Sequence, residues 1–214
     1  MSIRIKTIAA SGVAIALLAG CAGTQGPLDS SPSATVAPSA TASAVAKEIT
    51  EEQWLAAVDP ESSDAVIALV AEPGIALVIN AYDPSGMTAL HYAVTNGDAE
   101  AVAALLDAGA DPFRRTAKGF PARGAIHIAA AQGDVAMLQM LLDHGVGVDE
   151  LDGAGGHALL WAAYKGQPEA VAFLLAKGAD PALVDGSGMN AAERAEGQGF
   201  TEVADMIFAV LPNE

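Results

Sequence analysis

Histidine is the residue type in this chain most able to do chemistry, because imidazole titrates near neutral pH and binds transition metals. The chain contains four, His91, His127, His144 and His157. Their spacing does not match a metal-ligand pattern such as HExxH, and the acidic segments lack the ligand order of an EF-hand loop. The sequence also lacks a serine nucleophile elbow and a phosphate-binding loop. We therefore expect no catalytic residue, no metal and no cofactor, so the protein is not expected to be an enzyme.

Cys21 is the only cysteine, which excludes an internal disulfide. It follows an apolar run over residues 8–18 that is too short to span a bilayer comfortably. The motif Leu18-Ala19-Gly20-Cys21 resembles the lipobox of bacterial lipoproteins. That resemblance implies that residues 1–20 are a signal peptide and that Cys21 becomes the first mature residue, carrying a lipid. The alternative is an ordinary signal peptide that ends in a cysteine by chance.

Residues 21–48 are rich in Ser, Thr, Ala and Pro, a composition that predicts a disordered tether. The whole chain has a net charge of −16. This charge repels nucleic acid and anionic lipid head groups, so we expect no nucleic-acid partner and membrane attachment through the lipid alone. Alternatively, the charge serves only solubility. We expect an exported protein at the outer face of the bacterial cell membrane or, in a diderm, at the outer membrane or in the periplasm.

The elements beyond the tether repeat along the chain. Asp185 follows Asp152 by 33 residues, and the openings Asp83-Pro-Ser-Gly-Met-Thr-Ala-Leu-His and Asp152-Gly-Ala-Gly-Gly-His-Ala-Leu-Leu align in register. A unit between them, marked by Gly124-Ala-Ile-His, has a three-residue insertion before it. Leu and Ala at helical spacing predict helix pairs that each bury one face against the next unit. The sequence predicts that each first helix ends at a left-handed glycine, namely Gly97, Gly133 and Gly166.

These units resemble the ankyrin repeat in their openings, their Val-x-x-Leu-Leu segments and their Gly-Ala-Asp ends. The resemblance covers residue 83 to about residue 211. It implies an all-α solenoid of helix pairs with β-hairpin finger loops, which binds protein partners. The departures are Ala89 and Ala158 in place of the family's proline, and Leu160 and Glu193 in place of its histidine.

An N-terminal cap is predicted before the repeats. Thr50 is the expected N-cap of a helix, with Gln53 completing a capping box. A degenerate helical pair is expected from Thr50 to about Glu72. The full expected division of the ankyrin-repeat domain, residues 49–214, is a helical cap 49–82, repeats 83–115, 116–151 and 152–184, and a capping repeat 185–214.

Alignment with the repeat assigns each histidine a structural role. His91 and His127 stand at the family's histidine position, where the ring hydrogen-bonds backbone between repeats. His144 ends a helix, where a cation favours the negative terminus of the dipole. His157 occupies the position where the family has threonine.

Residues of the first helices are expected to line the concave groove of such a stack, where Tyr and Trp are favoured binding anchors. We expect Trp161→Ala to weaken partner binding more than about tenfold with little change in melting temperature. The alternative is that these side chains merely pack between adjacent units. The expected groove residues are Tyr92, Thr95, Asn96, Ile128, Ala131, Gln132, Trp161, Tyr164 and Lys165.

A basic cluster falls in the finger loop enlarged by the insertion. It is predicted to contact an acidic or carboxylate-bearing partner. The alternative is a solvated loop that offsets nearby acids. The cluster consists of Arg114, Arg115, Lys118 and Arg123, and Phe120 beside it is also an expected finger-loop contact.

The leading functional prediction is a membrane-anchored, extracytoplasmic protein–protein interaction module with a monomeric domain. The identity of the protein partner is not predicted. A second hypothesis is a protective envelope factor, either a toxin-immunity protein or a helper of oxidative-stress enzymes. A third, an enzyme acting on cell-wall polymer, lacks an identifiable carboxylate pair.

Overall fold

A computed structural model describes residues 49–58, 64–119 and 121–211. The predicted signal peptide 1–20 and the whole of the predicted tether 21–48, including Cys21, therefore lie outside the described residues, as does Phe120. None of the helices in these described segments is long and apolar enough to cross a membrane. The helices are α1 Glu51–Ala57, α2 Asp64–Leu69, α3 Ile75–Val78, α4 Ala89–Thr95, α5 Ala99–Asp107, α6 Ala125–Gln132, α7 Val135–Asp143, α8 Ala158–Tyr164, α9 Pro168–Ala176, α10 Ala191–Gln198 and α11 Thr201–Phe208.

Eight of these helices form four consecutive pairs, α4 with α5 through α10 with α11. The first helices α4, α6, α8 and α10 pack side by side in chain order, and the second helices α5, α7, α9 and α11 form a parallel row. This arrangement confirms the predicted all-α solenoid.

The core between units is built mainly from alanine and leucine. Ala129, Ala162 and Ala163 are fully buried in the first-helix row, where the absence of a longer side chain allows neighbouring helices to approach closely. Leu141 of α7 and Leu174 of α9 lie in the second-helix row and are also fully buried. Because each helix pair is short, most of its stability comes from burying one face against its neighbours.

The ends of the first helices follow the glycine prediction. Gly97, Gly133 and Gly166 have φ values of 69°, 80° and 66°, a region that L side chains rarely adopt. The second helices then begin at aspartate N-caps in two units, where Asp98 accepts from Ala101 N at 3.0 Å and Asp134 from Met137 N at 2.9 Å.

The N-terminal cap differs from the predicted helical pair. The capping box at Thr50 is confirmed, since Gln53 N donates to Thr50 Oγ1 at 3.3 Å and Thr50 N donates to Gln53 Oε1 at 3.1 Å. Two helices, α1 and α2, fall within the predicted range from Thr50 to about Glu72, but a third short helix, α3, follows them before the first repeat. It begins after the Pro73-Gly74 turn, where Gly74 is the N-cap of α3 and has φ 87°.

The finger loops contain less strand than the expected β-hairpins. Within the described segments they show single antiparallel bridges, Arg115 with Gly124 and Val184 with Asn190, rather than extended strands. Several of these loops are held instead by backbone N–H groups that donate to aspartate carboxylates.

Candidate functional site

Three finger loops share one hydrogen-bonding arrangement. In each, an aspartate at the start of the loop accepts a backbone N–H four residues later: Met87 N to Asp83 at 2.8 Å, Gly156 N to Asp152 at 2.8 Å, and Met189 N to Asp185 at 3.3 Å. The second carboxylate oxygen faces the first helix of the same unit. The loop and the helix that follows it are thereby fixed together.

The helix side of this arrangement is a side chain nine residues after each aspartate. Tyr92 Oη donates to Asp83 at 2.8 Å, and Trp161 Nε1 donates to Asp152 at 2.9 Å. In the last unit the donor is Arg194, whose Nε lies 2.7 Å from Asp185. We call these three pairs the loop ties. Sequence reasoning missed them, although the signal was present as an aspartate followed nine residues later by a side-chain donor.

The pKa values of two loop-tie aspartates show how strongly hydrogen bonds stabilise their ionised carboxylates. Desolvation by burial opposes ionisation of Asp185, but hydrogen bonds from Ser187, Arg194 and Met189 outweigh it and lower the pKa to about 2. Desolvation likewise opposes ionisation of Asp83, yet donors including Ser85 and Met87 leave its pKa below the ordinary value. Both carboxyls therefore favour the folded state when ionised.

The loop ties change the interpretation of the predicted aromatic groove. Tyr92 and Trp161 are half-buried and use their polar atoms within the chain, so they support the loops as well as presenting a surface. Trp161→Ala removes a donor from the buried Asp152, so we now expect that change to lower the melting temperature as well as partner binding.

Ile128 occupies the corresponding helix position in the enlarged second unit, and there the tie is missing. Gly119 stands nine residues before it, so no carboxylate is available at that place. Ile128 is only 8% exposed and adds little to the surface expected of a groove residue. The enlarged loop is held instead by the neighbouring loop, since Ala117 N donates to Gly86 O at 2.7 Å and Tyr82 Oη to Arg115 O at 2.9 Å.

The four basic side chains of the enlarged loop all have partners within the chain. Arg115 Nη2 lies 3.1 Å from Glu150 Oε1, and Lys118 Nζ donates to Pro84 O. Arg114 stacks over the Tyr82 ring and Arg123 over the Trp161 ring, each with its guanidinium carbon 5.1 Å from the centroid. Part of this cluster therefore stabilises the loop, as the alternative interpretation held. Two of its members, Lys118 and Arg123, also line a cavity.

Two neighbouring cavities open beside the enlarged loop, and Pro121 lines both. The aromatic cavity, of about 330 Å³, is walled by Leu160, Trp161 and Tyr164, with Asp152, Asp185 and Arg194 among its polar groups. The cationic cavity, of about 490 Å³, contains the charged side chains Lys118, Arg123 and Lys165.

The two cavities together contain most of the predicted groove residues. Trp161 and Tyr164 line the aromatic cavity, whereas Tyr92 and Asn96 line neither. The cationic cavity brings the predicted groove and the predicted finger contacts onto one surface. Its members from the predicted groove are Thr95, Ile128, Ala131, Gln132 and Lys165.

The histidines at the family position have the predicted structural geometry. Backbone N–H groups of Thr88 and Gly124 donate to Nδ1 of His91 and His127, each at 3.1 Å. The ring proton is therefore on Nε2, which donates to Arg114 O at 3.1 Å in His91 and to Glu150 O at 2.8 Å in His127. His144 also meets its prediction, since it caps α7 with its Nδ1 2.8 Å from Met140 O. Among the residues that the structure describes, no cluster of three or more His, Cys, Asp or Glu could hold a metal.

His157 is the exception among the buried histidines. Its ring is fully buried, and both nitrogens lack a hydrogen-bond partner. It is the N-cap of α8 without a side-chain capping bond, and Leu160 stands where the other units place a histidine or glutamate. Desolvation by burial lowers its pKa, although Asp149, Asp180 and Asp152 act in the opposite direction. The departure at Leu160 was visible in the sequence, but its consequence for His157 was not.

Comparison with family models covers the same helix pairs. A model described as ankyrin repeats in many copies matches residues 126–175 and 159–208. A model of the single ankyrin repeat matches residues 85–117. Together these matches cover more than half of the chain.

Similar proteins match over partial lengths. An NAD-capped RNA hydrolase of Homo sapiens is 38% identical over 82 residues, which is 38% of this chain and 18% of the hydrolase. An E3 ubiquitin-protein ligase of Arabidopsis thaliana is 32% identical over 133 residues, 61% of this chain and 8% of the ligase. The B-cell lymphoma 3 protein homolog of Mus musculus is 33% identical over 124 residues, 58% of this chain and 27% of the homolog.

The chain thus spans little more than a quarter of even the best covered of these three relatives. What it shares with them is a repeat region, and ankyrin repeats imply a protein–protein interaction module. From the helix-pair stack and the two family models, we conclude that the chain belongs to the ankyrin-repeat family.

Proposed function

We propose that this chain is a lipid-anchored, extracytoplasmic interaction module that captures a protein partner on the face containing the aromatic and cationic cavities. The observation that carries the proposal is the aromatic cavity. It exposes two of the chain's few aromatic rings beside polar groups, the composition expected of a binding pocket.

The aromatic cavity has the features of an anchor site. Trp161 and Tyr164 meet edge to face, with ring centroids 5.9 Å apart and planes at 84°. Trp161 is fixed from two sides, by Asp152 and by the Arg123 guanidinium above its ring. A rigid aromatic wall loses little conformational entropy on binding, so it favours insertion of an apolar side chain from the partner.

Tyr164→Ala is expected to lower partner capture about tenfold, because it removes one wall of the aromatic cavity while the hydrogen-bonding groups of every loop tie remain in place. The tagged full chain would be cross-linked in its native cells and the captured protein quantified by mass spectrometry. Phe173→Ala is the matched control, since Phe173 is also a half-buried ring beneath a lysine but lines neither cavity. Equal capture by the two variants would contradict the proposal.

The lipid anchor rests on the motif Leu18-Ala19-Gly20-Cys21, which supplies a thiol at the end of an apolar segment. Cys21→Ser is expected to abolish labelling of the chain by an alkyne fatty acid, because a serine hydroxyl is not the nucleophile that the lipid transfer requires. The variant should also leave the membrane fraction. Undiminished labelling of Cys21→Ser would show that the lipid is attached at another residue and would contradict the proposed anchor.

A further inference from the structure

The cationic cavity has a charge opposite to that of the rest of the molecule. Its three charged lining side chains, Lys118, Arg123 and Lys165, are all cations, and no carboxylate belongs to its lining. The chain as a whole carries a net charge of −16. A local concentration of cations on such a protein selects for a small anionic group and repels extended polyanions, which would also meet the surrounding acids.

We propose that the cationic cavity binds an acidic peptide segment of the partner protein, with a partner carboxylate held by Arg123 and Lys165. This inference rests on the proposed function and names the chemistry of the partner. The proposed site is not confined to the basic cluster of the enlarged loop, because Lys165 is the C-cap of α8 in the following unit.

The positions of the cations support a built site. Arg123 is held 5.1 Å above the Trp161 ring, and Lys165 Nζ lies 5.4 Å from the Tyr164 ring centroid. These ring contacts fix the cations without neutralising their charge, so both are available to a carboxylate. A guanidinium fixed in this way offers two parallel N–H donors, the geometry that a carboxylate accepts.

The remaining lining favours a peptide over a free anion. Met87 and Pro121 supply apolar contacts, and Thr95, Thr116 and Gln132 add polar groups within the same cavity of about 490 Å³. Pro121 also lines the aromatic cavity. A single segment with an apolar residue followed by acidic residues can therefore occupy both cavities at once.

Fluorescence anisotropy with the full chain in detergent tests the proposal. The probe is a short labelled peptide of alternating Glu and Leu, compared with its Gln and Leu counterpart near neutral pH. We expect the Glu/Leu peptide to bind at least about tenfold more tightly than the Gln/Leu peptide. Its affinity should fall as salt is added, because salt screens each exposed ion pair. Equal affinity for the two peptides would overturn the proposal.

Two lysine variants form a matched pair for the same assay. Lys165 and Lys177 both cap a helix and both lie over an aromatic ring, but Lys177 lines neither cavity. Lys165→Gln is expected to weaken binding of the acidic peptide several-fold more than Lys177→Gln does, although both variants lose one positive charge. Equal effects of the two changes would show that binding depends on net charge and not on the position of the lysine, and would overturn the proposed site.

The partner capture experiment separates failure of this inference from failure of the proposed function. If Tyr164→Ala lowers partner capture while Lys165→Gln leaves it unchanged, the interaction module stands and the acidic-segment site is wrong. If both variants lower capture, both proposals are supported.

Discussion

Asp152→Ala is expected to lower the free energy of unfolding by about 3 kcal/mol or more, since hydrogen bonds to a charged group contribute about 1.5–3 kcal/mol each. The Asp152 carboxylate is 5% exposed and accepts from Ala154 N at 2.7 Å, Gly156 N at 2.8 Å and Trp161 Nε1 at 2.9 Å. Removing the carboxylate leaves these donors without their acceptor. The loop between repeats then loses its connection to α8. Urea unfolding followed by circular dichroism measures the change.

Three further variants identify the cause of that loss. Asp152→Asn keeps one oxygen and places an amide NH₂ against a donor, so we expect an intermediate loss. Trp161→Phe keeps an aromatic ring at this position but removes Nε1, and its loss of stability should also be intermediate. Asp107→Ala is the control, because its side chain is 82% exposed, and surface changes of this kind alter stability by only about 0.5 kcal/mol. An unfolding midpoint of Asp152→Ala equal to that of Asp107→Ala would disprove the structural role of the loop tie.

The stack could be predicted from the sequence because its determinants are local and recur. Left-handed glycines such as Gly97 and Gly133 stop each first helix, and Ala and Leu at helical spacing define the buried face. The loop ties are equally regular, at nine residues from Asp83 to Tyr92 and from Asp152 to Trp161. They could have been predicted by searching the sequence for a hydrogen-bond acceptor for the polar atom of each aromatic side chain in the predicted groove.

Features set by contacts between loops could not be predicted in this way. Arg115 and Glu150 are 35 residues apart, and Lys118 and Pro84 are 34 apart, so their pairing depends on how successive units stack. The three-residue insertion predicted an enlarged basic loop, but a loop sequence does not specify which cations face a neighbour. The cationic cavity is a product of that stacking, since Lys165 approaches from the following unit.

Acidification from pH 7.5 to 5.5 is expected to cause a large loss of stability, because three buried histidines must bind protons on unfolding. Desolvation by burial lowers the pKa of His91, His127 and His157 below the ordinary value of 6.5. Backbone hydrogen bonds at His91 and His127 act in the opposite direction but do not reverse the shift. Between these lowered pKa values and pH 6.5, the folded state therefore binds fewer protons at the three rings than the unfolded chain does.

The direction in which stability changes with pH follows from this difference in proton binding. Below pH 6.5 the unfolded state binds more protons than the folded state, so stability falls as the pH falls toward the folded pKa values. Each histidine contributes at most about 1.4 kcal/mol per pH unit, and three together at most about 4 kcal/mol per pH unit. A second phase is expected to begin below about pH 4, because the unfolded chain binds protons there at Asp83 and Asp185, whereas the lowered pKa values of the folded state keep both carboxyls ionised to lower pH. Urea titrations at successive pH values measure the slope.

His157→Thr tests whether buried histidine, not general charge, produces the acid response. Threonine restores a side-chain cap to α8 and removes two buried ring nitrogens without partners, so stability near pH 7.5 should rise by about 1–2 kcal/mol. The slope below pH 6.5 should fall by about one third, because one of three titrating groups is gone. His144→Gln is the control, since His144 is exposed. If His157→Thr keeps the slope of the parent chain, as the control is expected to do, the proton uptake that destabilises the fold occurs at other groups.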